Sequence, residues 1–229
     1  MTIAEIAATS NAQRRERLLS FAMDLASKGK MVADRNDVIR DTIAGFETGD
    51  RRRVFRGFSA RLVRRRLSSP QPVDAADRDV AYDGNQGLCA ALDNGVLDLE
   101  RAGLAPTNER EWVERATGSE AVAKKFLMSL GVQEPILGTL AAAVIADQPY
   151  VRPLRAAMLS TLAAAGMRRL PPPPNGEPVS GVDLTHGLYL AGCDVFVTED
   201  RELQGLARAV ADHLAHHPRV ARVADIATL

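Results

Sequence analysis

The sequence predicts an α/β protein: a small parallel sheet flanked by helices, with a large helical insertion. Three observations predict it. In the last fifty residues the pattern runs helix, strand, helix, strand over 183–191, 194–197, 201–217 and 220–223. Each strand is followed or preceded by a helix too close in sequence for a hairpin, so the strands are joined by a crossover and lie parallel. Residues 51–170 carry helical apolar spacing through most of their length. A tetraproline at 171–174, followed by Asn175-Gly176, breaks the chain between these parts and holds an extended connection. The organisation expected is an N-terminal part of the α/β domain over 1–50, the insertion over 51–170, the Pro-rich connection over 171–180, and the C-terminal part over 181–229.

The elements follow in order. Leu18, Phe21, Ala22 and Leu25 recur at i, i+3, i+4 and i+7, which makes 14–27 an amphipathic helix. Residues 31–33 (MVA) after Gly29 read as a short strand. Asn36 or Asp37 then caps a helix carrying Val38, Ile39, Ile43 and Phe46 on one face. Helical patterns continue through 54–67, 88–99, 120–130, 135–146 and 153–165. Beyond the prolines, Asp183 opens a helix, DVFV at 194–197 reads as a buried strand, and 220–223 as a second one.

Composition narrows the function. The chain has 229 residues, 46% hydrophobic and 25% charged, which supports a packed core and excludes wholesale disorder. Twenty-nine basic residues balance twenty-nine acidic ones, so any affinity for nucleic acid must come from a local patch. Aromatics at 4% are too sparse for base-stacking platforms. Cys89 and Cys193 are too few for a disulfide framework and read as small buried side chains in a reducing compartment. The first residues lack a signal-peptide pattern, and the longest apolar run, 137–146, stops at Asp147. The expectation is a cytoplasmic protein without a membrane partner.

The charge is unevenly placed. Arg51, Arg52, Arg53, Arg56, Arg61, Arg64, Arg65 and Arg66 fall in one stretch with no acid, and the next stretch is acidic, with Asp74, Asp77, Asp79, Asp83, Asp93, Asp98 and Glu100. Two readings stay open: an arginine track for a phosphate backbone, or two solvated faces that neutralise one another.

The segment 181–204, GVDLTHGLYLAGCDVFVTEDRELQ, carries the chemistry. Residues just past the carboxyl ends of parallel strands line the ligand crevice of an open sheet. Thr198, Glu199 and Asp200 follow the apolar strand directly, and Asp183 stands at a helix start. Carboxylates converging there suit a hard divalent cation, which polarises a phosphate oxygen and activates water. Asp183 and Asp200 are equally good helix N-caps, and capping does not exclude a metal role. Glu199 reads as solvent-facing and Asp194, before the strand, as structural. His186 reads as a hydrogen-bonded helix residue, and His213, His216 and His217 as a helix C-terminus favoured by its dipole. No nucleotide-phosphate loop, nucleophile elbow, paired CxxC or HExxH motif is present.

These residues resemble the C-terminal half of a PIN-like nuclease domain, in which a helical acid precedes an apolar strand ending in T-x-D. The matching residues are Asp183, His186, Asp194, Val195, Val197, Thr198 and Asp200. The resemblance implies RNA cleavage with Mg²⁺ or Mn²⁺, with Asp183 and Asp200 as metal-site carboxylates and Thr198 supporting them by hydrogen bonding. It extends to 30–46, where Asp41 holds the place of a third acid. Helical geometry puts Asp41 well away from the Ile39/Ile43/Phe46 stripe, so a solvated-face reading stands beside it. The family begins with an apolar strand ending in Asp, whereas 1–13 hold only Glu5. The expected function is a metal-dependent endoribonuclease, the arginine stretch tracking the RNA. The alternative is a non-catalytic PIN-like remnant that acts as a helical interaction or RNA-binding protein, with a homodimer or a protein partner through the helical region open in either case.

Overall fold

The computed structural model describes residues 12–27, 35–50, 113–114, 117–169, 186–222 and 224–225. The expectations for 31–33, 54–67, 88–99, the Pro-rich connection, Cys89, Asp183 and the eight arginines between 51 and 66 lie outside these residues. Backbone proximity divides the chain into two compact units, Met1–Val38 with Phe55–Gly84, and Ile39–Val54 with Asn85–Leu229.

In the first unit the described part is helix α1 (Ala12–Ser27) and the opening turn of α2 (Arg35–Thr48). α1 presents Arg14, Glu16 and Arg17 to solvent, while Leu18 is half-buried. α2 starts earlier than its sequence suggests: Asn36 and Asp37 lie in the first turn rather than capping it. Asp37 there faces the positive end of the helix dipole, which favours it. α2 closes at Gly49, whose φ of +69° is the left-handed conformation that glycine adopts without strain.

The second unit holds the core. Helix α3 (Glu120–Ser129) is capped by Ser119, whose hydroxyl accepts from the Val122 amide. An i,i+4 pair between Lys124 and Glu120 at 2.6 Å supports its exposed side. α3 packs on α4 (Leu137–Ile145), the apolar run seen in the sequence. A 3-10 turn, Pro149–Val151, leads into α5 (Arg152–Arg169). α5 is the centre of the unit: every residue from 153 to 160 and from 162 to 166 is buried. A helix buried on nearly every side belongs inside a core, and Leu154, Met158 and Leu159 are completely so. Truncating any of them to alanine costs about 3 kcal/mol.

Against α5 lie α6 (Arg201–Ala211) and a second 3-10 segment, Leu188–Gly192. Of the helix expected over 183–191, residues 188–191 lie in this 3-10 segment. Small residues allow it to approach closely: a Cβ on Gly187 would stand 2.7 Å from Ser160 Cβ and closer still to Ser160 Oγ. The Ser160 hydroxyl is satisfied within its own helix by the Ala156 carbonyl, at 2.7 Å.

The sheet is small. β1 (Val195–Val197) and β2 (Arg219–Ala221) pair in parallel, with Val195 opposite Arg219, Phe196 opposite Val220 and Val197 opposite Ala221. α6 connects them and packs on β2, so the helix–strand–helix–strand reading of the C-terminus holds and the α/β class is compatible with the described residues. Two details differ. β2 begins at Arg219, one residue before the apolar pattern. β1 is not a buried strand: Val195 and Val197 are 38% and 39% exposed. Both point to one side of the sheet, the period-2 alternation placing Phe196 on the other. Among the described residues no helix is long and apolar enough to cross a membrane.

Candidate functional site

The loop from β1 into α6 is built by its own sequence. Asp200, in extended conformation three residues after β1, caps α6: its Oδ1 accepts from the Glu202 and Leu203 amides at 2.9 and 3.0 Å. Two of the otherwise unpaired amides of the first turn are thus satisfied, and the carboxylate faces the positive end of the helix. Thr198 Oγ1 accepts from the Asp200 amide at 3.1 Å, which fixes the turn between them. The Thr198 amide in turn donates to the Ala221 carbonyl at 3.1 Å, extending the parallel ladder one step beyond β1.

The second polar layer comes from Gln204, one turn into α6 and only 3% exposed. Its Nε2 donates to the Thr198 carbonyl at 3.1 Å, and its Oε1 receives Arg222 Nε at 3.5 Å. Arg222 follows β2 directly and is exposed. Its amide donates to Asp225 Oδ2 at 2.9 Å, closing a short turn. Thr198, Asp200, Gln204 and Arg222 therefore meet at the carboxyl ends of both strands, the side of a parallel sheet where ligands bind.

Of the residues that the sequence singles out, Thr198 and Asp200 are brought together by a direct hydrogen bond. Asp200 is exposed, and its Oδ2 makes no hydrogen bond among the described residues. Glu199 is exposed beside it, and Asp194 lies at the opposite end of β1, its carbonyl accepting from the Arg219 amide at 2.8 Å. Asp41 is half-buried on α2, next to buried Thr42, so a fully solvated face does not describe it. Among the described residues, no three His, Cys, Asp or Glu side chains form a group that could hold a metal ion.

Gln204 and Arg222 are not singled out by the sequence reading. The signal for Gln204 was available: an amide inside the apolar stripe of Leu203, Leu206, Ala207 and Val210 needs a partner if it is buried. Arg222 carries no such signal, since only the parallel register sets it beside Thr198.

Near the other end of β1, Cys193 is half-buried, and burial followed by the Asp194 carboxylate pushes its thiol up to about 11. His216 does not sit on a helix end: its Nε2 lies 2.9 Å from the Leu190 carbonyl, a bond the ring donates as its Nε2–H tautomer.

Compared with known protein families, curated proteins and solved structures, the chain matches none.

Proposed function

We propose that the chain is a PIN-like, metal-dependent endoribonuclease, with Asp200 as a metal-site carboxylate at the carboxyl edge of the sheet. The observation that carries this reading is the division of labour within one side chain. Asp200 Oδ1 is committed to the α6 amides, which orients the carboxylate, while Oδ2 makes no hydrogen bond among the described residues. An oxygen held in this way is a suitable ligand for a hard cation. Asp183 and Asp200 would hold Mg²⁺ or Mn²⁺, with Asp41 as a third acid and Thr198 fixing the turn. Bound there, the cation supplies phosphate polarisation and a water of lowered pKa. The chain's own contribution is to hold the carboxylate's orientation through the α6 amides and Thr198. The eight arginines from Arg51 to Arg66 would track the RNA backbone.

The experiment separates capping from catalysis, because asparagine caps a helix as well as aspartate does. Wild type, Asp183→Asn and Asp200→Asn are compared for cleavage of a generic single-stranded RNA with Mn²⁺ or Mg²⁺. The expected result is cleavage by the wild type alone, with Asp200→Asn retaining wild-type thermal stability. Equal cleavage by wild type and Asp200→Asn would overturn the reading.

A second reading rests on a different observation. Val195 and Val197 expose apolar surface on one face of the short sheet, which favours a non-catalytic PIN-like protein acting through interactions. That protein would bind RNA or a partner equally well with Asp200 replaced by asparagine.

A further inference from the structure

Arg222 is a cation whose guanidinium rests on a buried amide. The parallel register places it beside Thr198, one step past the Val197–Ala221 pair. The buried amide of Gln204 spans the two, donating to the Thr198 carbonyl at 3.1 Å and presenting Oε1 to Arg222 Nε at 3.5 Å. Burying an amide is costly unless both its ends are used, and here they are used to tie the two strand ends together. Among the described residues no carboxylate pairs with the Arg222 guanidinium. The nearby Asp225 carboxylate takes the Arg222 backbone amide instead. Nε is engaged, which leaves the two Nη groups without a partner among the described residues.

We propose that Arg222 is an anion-binding residue that contacts a phosphodiester oxygen of single-stranded RNA at the carboxyl edge of the sheet, with Gln204 as its positioning residue. A guanidinium held through Nε keeps its two terminal nitrogens for a two-point contact with phosphate, which a lysine cannot reproduce. The site rests on the endoribonuclease reading for its substrate, but its own ligand is the phosphate backbone and needs no cleavage to be detected.

The test measures binding of a short 5′-labelled single-stranded RNA to the full chain as a function of salt, alongside cleavage with Mn²⁺. The proteins are wild type, Arg222→Ala, Arg222→Lys, Gln204→Leu and Asp200→Asn. Arg222→Ala is expected to weaken binding roughly tenfold and to flatten the slope of log affinity against log salt by about 0.7, the value of one phosphate contact on a single strand. Arg222→Lys restores part of the slope but less of the affinity. Gln204→Leu leaves the slope intact and weakens affinity, because the charge remains while its orientation is lost. Arg222 is exposed, so its variants fold, which equal thermal melting confirms.

The two proposals fail separately. If Asp200→Asn abolishes cleavage while Arg222→Ala binds with wild-type affinity and slope, the anion site is wrong and the nuclease stands. If nothing cleaves but Arg222→Ala loses affinity and slope, the nuclease is wrong and the anion site stands. A wild type that does not bind RNA overturns both.

Discussion

The Arg155 guanidinium grips the His213 carbonyl oxygen across 58 positions of sequence, with Nε at 3.3 Å and Nη2 at 3.1 Å. Its Nη1 meanwhile donates to the Val144 and Ile145 carbonyls at 3.0 and 2.8 Å. One side chain therefore satisfies the last carbonyls of α4 and the carbonyl in the turn after α6, groups that a helix end leaves unpaired. Arg155 is 6% exposed. Burial pulls its pKa below the ordinary arginine value and the Asp147 carboxylate, 3.9 Å away, pulls it back.

Arg155→Met should lower the unfolding free energy by roughly 3 kcal/mol, since the part-buried Ile145 and His213 carbonyls lose their donor and the Val144 carbonyl keeps only the Asp147 amide. Arg155→Lys should recover less than half of this, because one ammonium cannot span both helix ends. Urea denaturation at constant m-value reads the effect. A loss under about 1 kcal/mol for Arg155→Met would show that the carbonyls find water instead.

Asp147 is the second clamp of the same junction. Its Oδ2 accepts the Ala215 amide at 2.6 Å and its Oδ1 the Arg152 Nε at 3.1 Å, while its φ of +48° lies in the left-handed region. Asparagine tolerates that backbone and keeps an acceptor, whereas alanine does neither. The order of stability expected is wild type, then Asp147→Asn by about 1 kcal/mol, then Asp147→Ala by roughly 2 to 3 kcal/mol. Alanine equal to asparagine in thermal melts would contradict it.

Gly187 approaches Ser160 of α5 too closely to admit a side chain. Gly187→Ala places a Cβ against both Oγ and Cβ of Ser160, and overpacking of this kind costs about 1 to 3 kcal/mol. Ser160→Ala removes the nearer of the two atoms and should relieve only part of the strain, because the Cβ overlap at 2.7 Å remains. Ser160→Gly removes both atoms and should give a favourable coupling with Gly187→Ala in a double-mutant cycle, despite the cost of glycine within a helix. Strict additivity would mean that the strain is relieved elsewhere.

Cys193 should be a slow nucleophile. Its thiol titrates at about 11, against 9.0 for an unperturbed cysteine, so below pH 9 its thiolate is about 100-fold scarcer than that of a free thiol. Alkylation by iodoacetamide in a Cys89→Ser background should be slow at pH 8 and rise through pH 11. The linkage has a definite sign. The folded chain holds this proton where the unfolded chain releases it, so the contribution to stability is full below pH 9 and is lost as pH rises toward 11. Alkylation at the rate of a small free thiol would sink the prediction.

Much of the C-terminal fold was legible. The strand at 195–197, the helix from Arg201 and the second strand were readable because period-2 and period-3.6 patterns alternate within a few residues of one another. Asp200 as a cap was equally readable, since a strand followed by T-x-D and an amphipathic run is a local signal. Misreadings cluster where tertiary partners take over backbone groups. The helix from Arg201 was expected to reach His217 but ends at Ala211, where Asp212 caps it. Arg155 and Asp147 claim the His213 carbonyl and the Ala215 amide, and the buried Leu214 turns inward.

The sequence by itself determined the order of the C-terminal elements, the capping of α6 and the apolar character of α4 and α5, because these depend on residues within a turn or two of one another. Only the tertiary structure decided that α5 is central, that β1 leaves one face exposed, and that Gln204 joins Thr198 to Arg222. Those outcomes depend on which surfaces meet, and a register between two strands is a relation between distant residues that no local pattern encodes.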